Sequence, residues 1–231
     1  MKLTALLAVA GLAAVGTAQQ KVKVMFLGDS ITEITCWRPL VWTQLASANL
    51  TSSIQLVGSK SSVPGNCQRP AGFDARHEGH SGYEAFNVAR NNIKGWVQNT
   101  KPDVVNFMLG TNDVNIGKRD ANTILNAYTS ILGSLREANP NVFVIIDKMI
   151  PTSWSDSTIE AVNTAIPNWA KQHTTTQSPI TVADCSRAAG MTNAMLKGDR
   201  VHPNDLGDQF IAKQVGPVLI QVLKAKLGTS A

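Results

Sequence analysis

Blocks of basic residues are absent from this sequence, although its formal net charge is +5. The lysines and arginines are scattered, the longest basic run is the Lys118-Arg119 pair, and aromatic residues do not alternate with them. Nucleic-acid-binding proteins concentrate positive charge on one face or along one helix. We therefore expect no nucleic-acid partner. The absence of repeats, low-complexity linkers and charge runs indicates a single domain.

Long hydrophobic runs are also scarce. Residues 3–15 form an apolar, alanine-rich segment, but a membrane span needs roughly 20 such residues, and no later segment is long and apolar enough. Lys2 precedes this segment, and small residues follow it in the spacing of a signal-peptidase site. We therefore expect a signal peptide over residues 1–18 and a mature, secreted domain over residues 19–231 that is soluble and has no membrane partner.

Cysteine is rare, with three residues in the chain. A secreted protein favours disulfides, and an odd count leaves one cysteine unpaired. Cys36 and Cys67 both lie near loops that flank the first predicted helix and the second predicted strand, so we expect them to pair and Cys185 to stay free. The triplet that begins at Asn49 has the Asn-x-Thr pattern of N-glycosylation and marks a candidate glycan site.

Short β-rich segments alternate with longer segments of helical pattern along the chain. Such alternation is typical of a parallel sheet covered by helices on both faces, and continuous apolar runs such as 104–108 fit strands buried on both sides. We expect the Gly216-Pro217 pair to kink or break the last helix. The predicted strands are 22–27, 54–58, 104–109, 142–147 and 180–183, and the predicted helices are 38–49, 83–98, 121–138, 157–172 and 204–227.

Ser30 follows the first predicted strand directly, in the sequence Gly28-Asp29-Ser30. In a parallel sheet, ligands bind beyond the carboxyl ends of the strands. A glycine permits a tight turn there, and this turn can point the serine hydroxyl into the ligand crevice. Ser30 is therefore a candidate nucleophile. The alternative is structural, because residues 30–33 also have the pattern of a helix capping box.

His202 lies just before the last predicted helix, and Asp199 precedes it by three residues. Imidazole titrates near neutral pH and can take the proton of a serine hydroxyl. A carboxylate on the other ring nitrogen would fix the tautomer and stabilise the charged ring. We expect His202 to be the base and Asp199 its partner, although a histidine in front of a helix can also be incidental.

Two further motifs can supply hydrogen-bond donors for an oxyanion. Asn112 follows the strand predicted at 104–109, and Gly82 lies just before a predicted helix. The side-chain amide of Asn112 and the backbone N–H groups of Gly82 and Ser30 would stabilise negative charge on an attacked carbonyl oxygen. One such donor is worth roughly 3–4 kcal/mol of barrier. The structural alternatives are a turn or cap role for Asn112 and a conformational requirement for Gly82.

These four motifs, in this order, resemble the SGNH or GDSL hydrolase superfamily. Its blocks are matched by Gly-Asp-Ser at Ser30, Ser-Gly at Gly82, Gly-Thr-Asn-Asp at Asn112 and Asp-x-x-His-Pro at His202. The resemblance implies a nucleophile, two oxyanion-hole residues and a base in that order, with Asp199 completing the triad. It also implies a flavodoxin-like, three-layer α/β/α sandwich with a five-stranded parallel sheet, and no cofactor.

A narrower resemblance is to secreted acetylxylan esterases of carbohydrate esterase family 3. It rests on segment 28–38, Gly-Asp-Ser-Ile-Thr-Glu-Ile-Thr-Cys-Trp-Arg, and on segment 77–82, His-Glu-Gly-His-Ser-Gly. It implies deacetylation of plant cell-wall xylan. A lipolytic esterase or phospholipase with the same residues is an alternative, which chain-length preference on nitrophenyl esters would identify. A catalytically inactive, carbohydrate-binding wall protein is another, and binding without turnover would indicate it.

His77 and His80 have the spacing of some metal ligands, but no third ligand is evident, and esterolysis by a serine triad needs no metal. We expect no metal site, and we assign His80 a structural or substrate-contacting role. Trp154, in the loop after the strand predicted at 142–147, is the tryptophan best placed to touch a sugar ring. We expect a monomer that acts on acetylated polysaccharide or another small acyl ester.

Overall fold

The structure is a computed structural model that describes residues 20–152 and 156–229. The predicted signal peptide at 1–18 and the candidate sugar contact Trp154 lie outside these residues. Among the helices of the described ranges, none combines the length and the apolar character needed to cross a bilayer.

A parallel sheet forms the middle layer of the fold. Its strands are β1 (Val22–Gly28), β2 (Ile54–Val57), β3 (Glu78–Gly79), β4 (Val104–Met108), β5 (Phe143–Lys148) and β6 (Ile180–Asp184). Five of them run in the order β2-β1-β4-β5-β6, and the two-residue β3 pairs with the end of β1. The predicted five-stranded parallel sheet is therefore confirmed, with β3 as an addition on the same side of β1 as β2.

Helices cover both faces of this sheet, so the predicted three-layer architecture is also confirmed. They are α1 (Ser30–Glu33), α2 (Trp37–Ser47), α3 (Ala85–Asn91), α4 (Ile93–Thr100), α5 (Thr111–Asn115), α6 (Ala121–Ala138), α7 (Asp156–His173) and α8 (Asp205–Leu227). On one face α2 packs against α8, and on the other α6 contacts α3, α4 and α7. Every residue of β4 is buried between the two layers, as expected for a strand covered on both sides.

The helix predicted over 83–98 is wrong as a single element, because the structure divides it into α3 and α4. The break falls at Asn92, whose φ of −124° and ψ of −48° leave the helical region. Asparagine hydrogen-bonds readily to nearby backbone groups and is a poor residue for a helix interior. The Asn91-Asn92 pair therefore interrupts a segment whose apolar spacing alone predicts one helix.

The expected break at Gly216-Pro217 is also wrong, since α8 continues through both residues. Gly216 lies directly against Gln44 of α2, so a β-carbon on Gly216 would fall 2.0 Å from Gln44 Oε1. The amide of Gln44 donates to the carbonyl of Ala212 at 3.0 Å, one turn before the proline. The carbonyl that loses its N–H partner at Pro217 belongs to Lys213, the residue after Ala212, so α8 stays continuous at the place where it packs against Gln44 of α2.

Cys36 and Cys67 form a disulfide with a Cα–Cα distance of 5.2 Å, the pairing expected from the sequence. It ties the start of α2 to the long segment between β2 and β3. Cys185, just after β6, is a buried free cysteine, and burial raises the pKa of its thiol well above the ordinary value. This thiol behaves as a small hydrophobic side chain of the core.

The sheet brings three separate chain segments to one point at its carboxyl edge. Gly28 at the end of β1 pairs with Gly79 of β3 on one side and with Met108 of β4 on the other. The residues that follow these three strand ends carry the motifs predicted from the sequence. The register of the sheet, rather than any long loop, therefore sets where those motifs meet.

Candidate active site

Ser30 is the first residue of α1 and follows β1 after the single residue Asp29. Asp29 Oδ1 accepts a hydrogen bond from the Ile31 N–H at 2.8 Å and caps the helix. The cap is therefore Asp29 and not Ser30, which leaves the serine hydroxyl available. A β-carbon on Gly28 would lie 2.0 Å from Thr32 Oγ1, so this sharp turn requires glycine.

The side chain of His202 lies against Ser30, although the two residues are 172 positions apart. His202 Nε2 is 2.7 Å from Ser30 Oγ, and His202 Nδ1 is 2.9 Å from Asp199 Oδ2. Ser30 is 8% exposed, which restricts water around its hydroxyl. The structure thus brings together the three residues predicted as a triad, in the geometry of nucleophile, base and orienting carboxylate.

Backbone hydrogen bonds hold Asp199 in place. Its Oδ1 accepts the N–H groups of Val201 and His202, both at 2.9 Å, while Oδ2 faces the imidazole. Partial burial tends to raise the pKa of Asp199, but these N–H groups and the histidine ring outweigh burial and lower it to about 2. The carboxylate therefore stays ionised at neutral pH, as needed to stabilise a protonated imidazole.

Asn112 is the second residue of α5, which begins directly after Gly110 at a φ of 118°. Its Nδ2 donates to the carbonyl of Tyr83 at 3.0 Å and lies 3.5 Å from Asp29 Oδ2. Asn112 is 8% exposed. Its amide therefore links the β1 turn to the segment that carries Gly82, and it lies at the same edge of the sheet as Ser30.

Gly82 has a φ of +80°, a conformation that glycine adopts at little cost. Its segment is anchored by the His80 N–H, which donates to the Gly28 carbonyl at 2.9 Å, and by the Tyr83 N–H, which donates to the His80 carbonyl at 3.1 Å. The N–H groups of Gly82 and Ser30 donate no hydrogen bond to any group in the described part of the chain. Both donors can therefore serve a bound oxyanion.

Glu33 is a site residue that the sequence reasoning missed. Its Oε2 accepts the Ser81 N–H at 2.7 Å, next to Gly82, and its Oε1 forms an ion pair with Lys60. Partial burial tends to raise the pKa of Glu33, but the contacts with Lys60 and Ser81 outweigh it and lower the pKa to about 2. Because Glu33 and Ser30 share one helical turn, α1 connects the nucleophile to the segment of Gly82.

Arg38 is a second missed residue, and its guanidinium is fully buried. It donates to the carbonyls of Thr32 at 2.7 Å, Ser62 at 2.9 Å and Ala75 at 3.2 Å. Burial lowers the pKa of Arg38 to about 10, so the group stays charged at neutral pH. Arg38 thereby fastens the segment between β2 and β3 to α1. Arg38 is the last residue of segment 28–38, which carries the resemblance to acetylxylan esterases, and this position was the one sign of its importance in the sequence.

Two buried aspartates lie behind the site. Burial, together with the nearby Asp113, raises the pKa of Asp29 to about 7. Burial also raises the pKa of Asp113, whose carboxylate accepts the N–H groups of Ala85 at 2.5 Å and Phe86 at 2.9 Å and so caps α3. Asp113 fixes the helix that follows the Gly82 segment. The sequence motif Gly-Thr-Asn-Asp contained it, but gave no indication of this contact.

His80, the predicted structural or substrate-contacting residue, is held by protein groups. Its Nε2 is 2.6 Å from Glu78 Oε1, and its ring is nearly parallel to Trp96, with centroids 4.4 Å apart. The exposed aromatic residue of this cluster is Tyr83, whose ring centroid is 4.9 Å from that of His80. A substrate contact by His80 stays a prediction, and sequence analysis overlooked Tyr83 although it directly follows Gly82.

The remaining candidates lie apart from the triad or outside the described residues. Asn49 is exposed in a turn after α2 at a φ of 59°, and its glycosylation stays a prediction. His77 Nδ1 accepts the Gly79 N–H at 3.0 Å, so it does not face His80 as a ligand pair would. Among the described residues, no group of three or more His, Cys, Asp or Glu side chains is arranged to hold a metal ion.

Comparison with known proteins identifies similar sequences and structures. A profile of the GDSL-like Lipase/Acylhydrolase family matches residues 26–210. No curated protein gives a significant match. The matched range includes all four motifs, from Gly28 to Pro203.

Three solved structures illustrate the similarity. A serine-to-alanine mutant of an acetyl esterase, solved with an acetate ion, is 66% identical with a TM-score of 0.87 over 88% of this chain and 99% of that one. A carbohydrate esterase family 3 protein from Talaromyces cellulolyticus is 67% identical, also with a TM-score of 0.87 and the same coverages of 88% and 99%. A family 3 carbohydrate esterase from Clostridium thermocellum is 26% identical, with a TM-score of 0.74 over 89% of this chain and 98% of that one.

Proposed function

The chain belongs to the GDSL-like lipase/acylhydrolase family and is a carboxylic ester hydrolase, and from this premise we propose that it removes acetyl groups from plant cell-wall polysaccharide, with acetylated xylan as its substrate. The observation that carries the proposal is the 2.7 Å contact between Ser30 Oγ and His202 Nε2. The acetyl group and the carbohydrate are supported by the two most similar structures described above, an acetyl esterase and a carbohydrate esterase.

The first step of the proposed reaction is acylation of the enzyme. Ser30 Oγ attacks the acetyl carbonyl carbon while His202 Nε2 takes the hydroxyl proton. The carbonyl oxygen becomes an oxyanion, which accepts hydrogen bonds from the N–H groups of Ser30 and Gly82 and from the amide of Asn112. Asp199 stabilises the positive charge on the imidazole. Collapse of the intermediate transfers the proton from His202 to the leaving sugar oxygen.

The second step is hydrolysis of the acetyl-serine. His202 takes a proton from water, whose oxygen attacks the acetyl carbon, and the same donors stabilise the second oxyanion. The proton then returns to Ser30 Oγ as acetate leaves. One base therefore acts in both halves of the reaction, and the ionised Asp199 supports it each time.

We also propose that the protein is secreted, with residues 1–18 as a signal peptide and 19–231 as one domain. The Cys36–Cys67 disulfide supports this location, because such bonds form and persist outside the reducing cytosol. An extracellular location is also where a polysaccharide substrate would be met.

Acetate release from acetylated xylan tests the function, with wild type, Ser30→Ala and Ser47→Ala measured together. Ser47 is an exposed serine of α2, so Ser47→Ala is the matched control and should retain full activity. Ser30→Ala should lose roughly 10⁵-fold or more in kcat, since a triad nucleophile is removed. Circular dichroism should show both variants folded.

Three outcomes would contradict the proposal in different ways. Turnover by a folded Ser30→Ala variant would remove Ser30 from the mechanism. Faster hydrolysis of long-chain than of acetyl nitrophenyl esters would favour a lipolytic esterase. Binding of xylan with no turnover of any ester would favour a carbohydrate-binding protein without catalysis.

A further inference from the structure

Four large hydrophobic side chains are exposed in the part of the chain that the structure describes. They are Ile34 at 44%, Tyr83 at 37%, Ile116 at 62% and Leu206 at 58% exposure. Each follows Ser30, Gly82, Asn112 or His202, the central residue of one of the four motifs, by no more than four positions. Since the rest of the large hydrophobic side chains described are at least partly buried, this distribution is not that of random surface exposure.

Backbone hydrogen bonds keep two of these residues close to the site. The Ile34 N–H donates to the Ser30 carbonyl at 2.9 Å, and the Ile116 N–H donates to the Asn112 carbonyl at 2.8 Å. Ile34 and Ile116 directly follow the last residues of α1 and α5, so each begins one turn beyond Ser30 or Asn112. The backbone of Ile34 is therefore held next to that of the nucleophile, and the backbone of Ile116 next to that of the oxyanion-hole asparagine.

The other two follow Gly82 and His202 in the chain. Tyr83 directly follows Gly82, and its carbonyl accepts the Asn112 amide at 3.0 Å. Leu206 is in the first turn of α8, where its N–H donates to the capping Asn204 Oδ1 at 3.0 Å, two residues after His202. We name Ile34, Tyr83, Ile116 and Leu206 the apolar rim.

We propose that the apolar rim binds the sugar rings of a polysaccharide chain on either side of the acetylated residue. This inference rests on the proposed function and extends it from the reacting acetyl group to the polymer that carries it. The rim would increase the rate on the polymer by holding its backbone across the site, while a small ester would not reach these side chains.

The chemistry of the rim fits a sugar chain better than a lipid surface. Tyr83 has its ring nearly parallel to those of His80 and Trp96, at 25° and 24°, so its flat face is held in a fixed orientation. A fixed aromatic face suits the C–H face of a pyranose ring. Exposed polar residues such as Ser81 and Asp205 lie close to rim residues in the chain, whereas a lipid surface favours a continuous apolar face.

The test compares a polymer with a small ester on the same variants. The triple variant Ile34→Ser, Ile116→Ser, Leu206→Ser removes the aliphatic part of the rim. Its kcat/KM on acetylated xylan should fall ~10-fold or more, while kcat/KM on 4-nitrophenyl acetate stays within about twofold of wild type. Tyr83→Ala should lower the ratio of the two activities in the same direction, and Tyr83→Phe, which keeps the ring, should leave that ratio unchanged.

The possible failures separate this inference from the proposed function. If wild type cleaves acetylated xylan and the triple variant cleaves it equally well, the rim inference is wrong and the proposed function stands. If wild type cleaves 4-nitrophenyl acetate but not acetylated xylan, the proposed substrate and the rim inference are both wrong. If the triple variant instead loses binding to phosphatidylcholine vesicles, with xylan turnover unchanged, the rim binds lipid and the inference is overturned.

Discussion

Carboxylates that bind backbone N–H groups position most of the residues proposed for catalysis. Each of four carboxylates at the site accepts at least one N–H from a neighbouring segment, which fixes that segment without taking part in bond making. The pairs are Asp29 with Ile31, Glu33 with Ser81, Asp113 with Ala85 and Asp199 with His202. Glu33 and Asp199, whose pKa values are lowered to about 2, form charge-assisted hydrogen bonds, which are roughly twice as strong as neutral ones. Preorganised donors are what stabilise an oxyanion without reorganisation during the reaction.

Glu33 provides a test of this positioning. Glu33→Ala removes the acceptor for the Ser81 N–H and frees the peptide next to Gly82. We expect kcat on 4-nitrophenyl acetate to fall ~10-fold or more with little change in KM, because an oxyanion donor acts in the transition state. Glu33→Gln keeps an acceptor oxygen and should recover a large part of kcat.

The ion pair with Lys60 needs its own control, since Glu33→Ala removes two contacts together. Lys60→Met leaves the Ser81 contact in place and should retain most of the wild-type kcat. A role for Glu33 in fold stability alone would lower the melting temperature without changing kcat. Equal loss of kcat in Glu33→Gln and Glu33→Ala would also contradict the positioning role.

At the level of elements, periodicity predicted the strands well and the interruptions of helices poorly. Strands buried on both faces, such as β4, are continuous apolar runs, so their positions follow from composition. Around Pro217, α8 packs instead against Gln44, which is far away in sequence and reaches the helix only in the folded protein. The division at Asn92 reflects a local preference that apolar spacing does not express.

The turn between β1 and α1 can be tested with paired glycine substitutions. A β-carbon on Gly28 would meet Thr32 Oγ1 at 2.0 Å and the Met108 carbonyl at 3.0 Å, and neither atom is the end of a flexible side chain. We expect Gly28→Ala to lower the free energy of unfolding by about 1–3 kcal/mol and to lower kcat, because the turn carries Ser30. Urea unfolding and ester hydrolysis measure the two effects.

Gly133→Ala is the matched control for this turn. Gly133 lies inside α6, and a β-carbon there would have no atom within 4 Å. Alanine favours a helix over glycine, so stability should stay equal or rise by up to ~1 kcal/mol. Equal stability and kcat in Gly28→Ala and wild type would show that the turn tolerates a side chain, against the packing described here.

At the scale of the whole molecule, the site is a consequence of topology. A parallel sheet places the carboxyl ends of its strands at one edge, so the motifs after β1 and β4 were expected to meet, and Gly28 and Met108 do pair. The sequence could therefore predict which residues come together. It could not predict Glu33 or Tyr83, because their roles depend on which way a side chain points from a short helix or turn.

Buried acids give the whole molecule a defined dependence of stability on pH. Burial raises the pKa of Asp29 to about 7, and the nearby Asp113 adds to this shift. Burial also raises the pKa of Asp208 to about 6. The charge of Asp205 raises the pKa of Asp208 further, whereas the charge of Lys197 lowers it. The unfolded chain releases these protons near pH 3.8, whereas the fold keeps them to higher pH. The stability that these groups contribute is therefore fully present below pH 3.8 and lost as pH rises towards about 7.

Glu33 and Asp199 act in the opposite direction, but only in acid. Their pKa values are lowered to about 2 from the ordinary values of 4.5 and 3.8, so they contribute stability that is lost as pH falls below about 4. We therefore expect the free energy of unfolding, measured by urea at pH 4.5, 5.5, 6.5 and 7.5, to decrease as pH rises. Asp208→Asn should flatten this slope, since it removes one of the buried acids whose pKa is raised. Asp205→Asn, at an exposed carboxylate in the same helical turn, should preserve most of the slope. An unchanged slope in Asp208→Asn would contradict this prediction and would mean that Asp208 is already ionised in the folded protein. Water would then have to solvate its buried Oδ1, which has no hydrogen-bond partner in the described part of the protein.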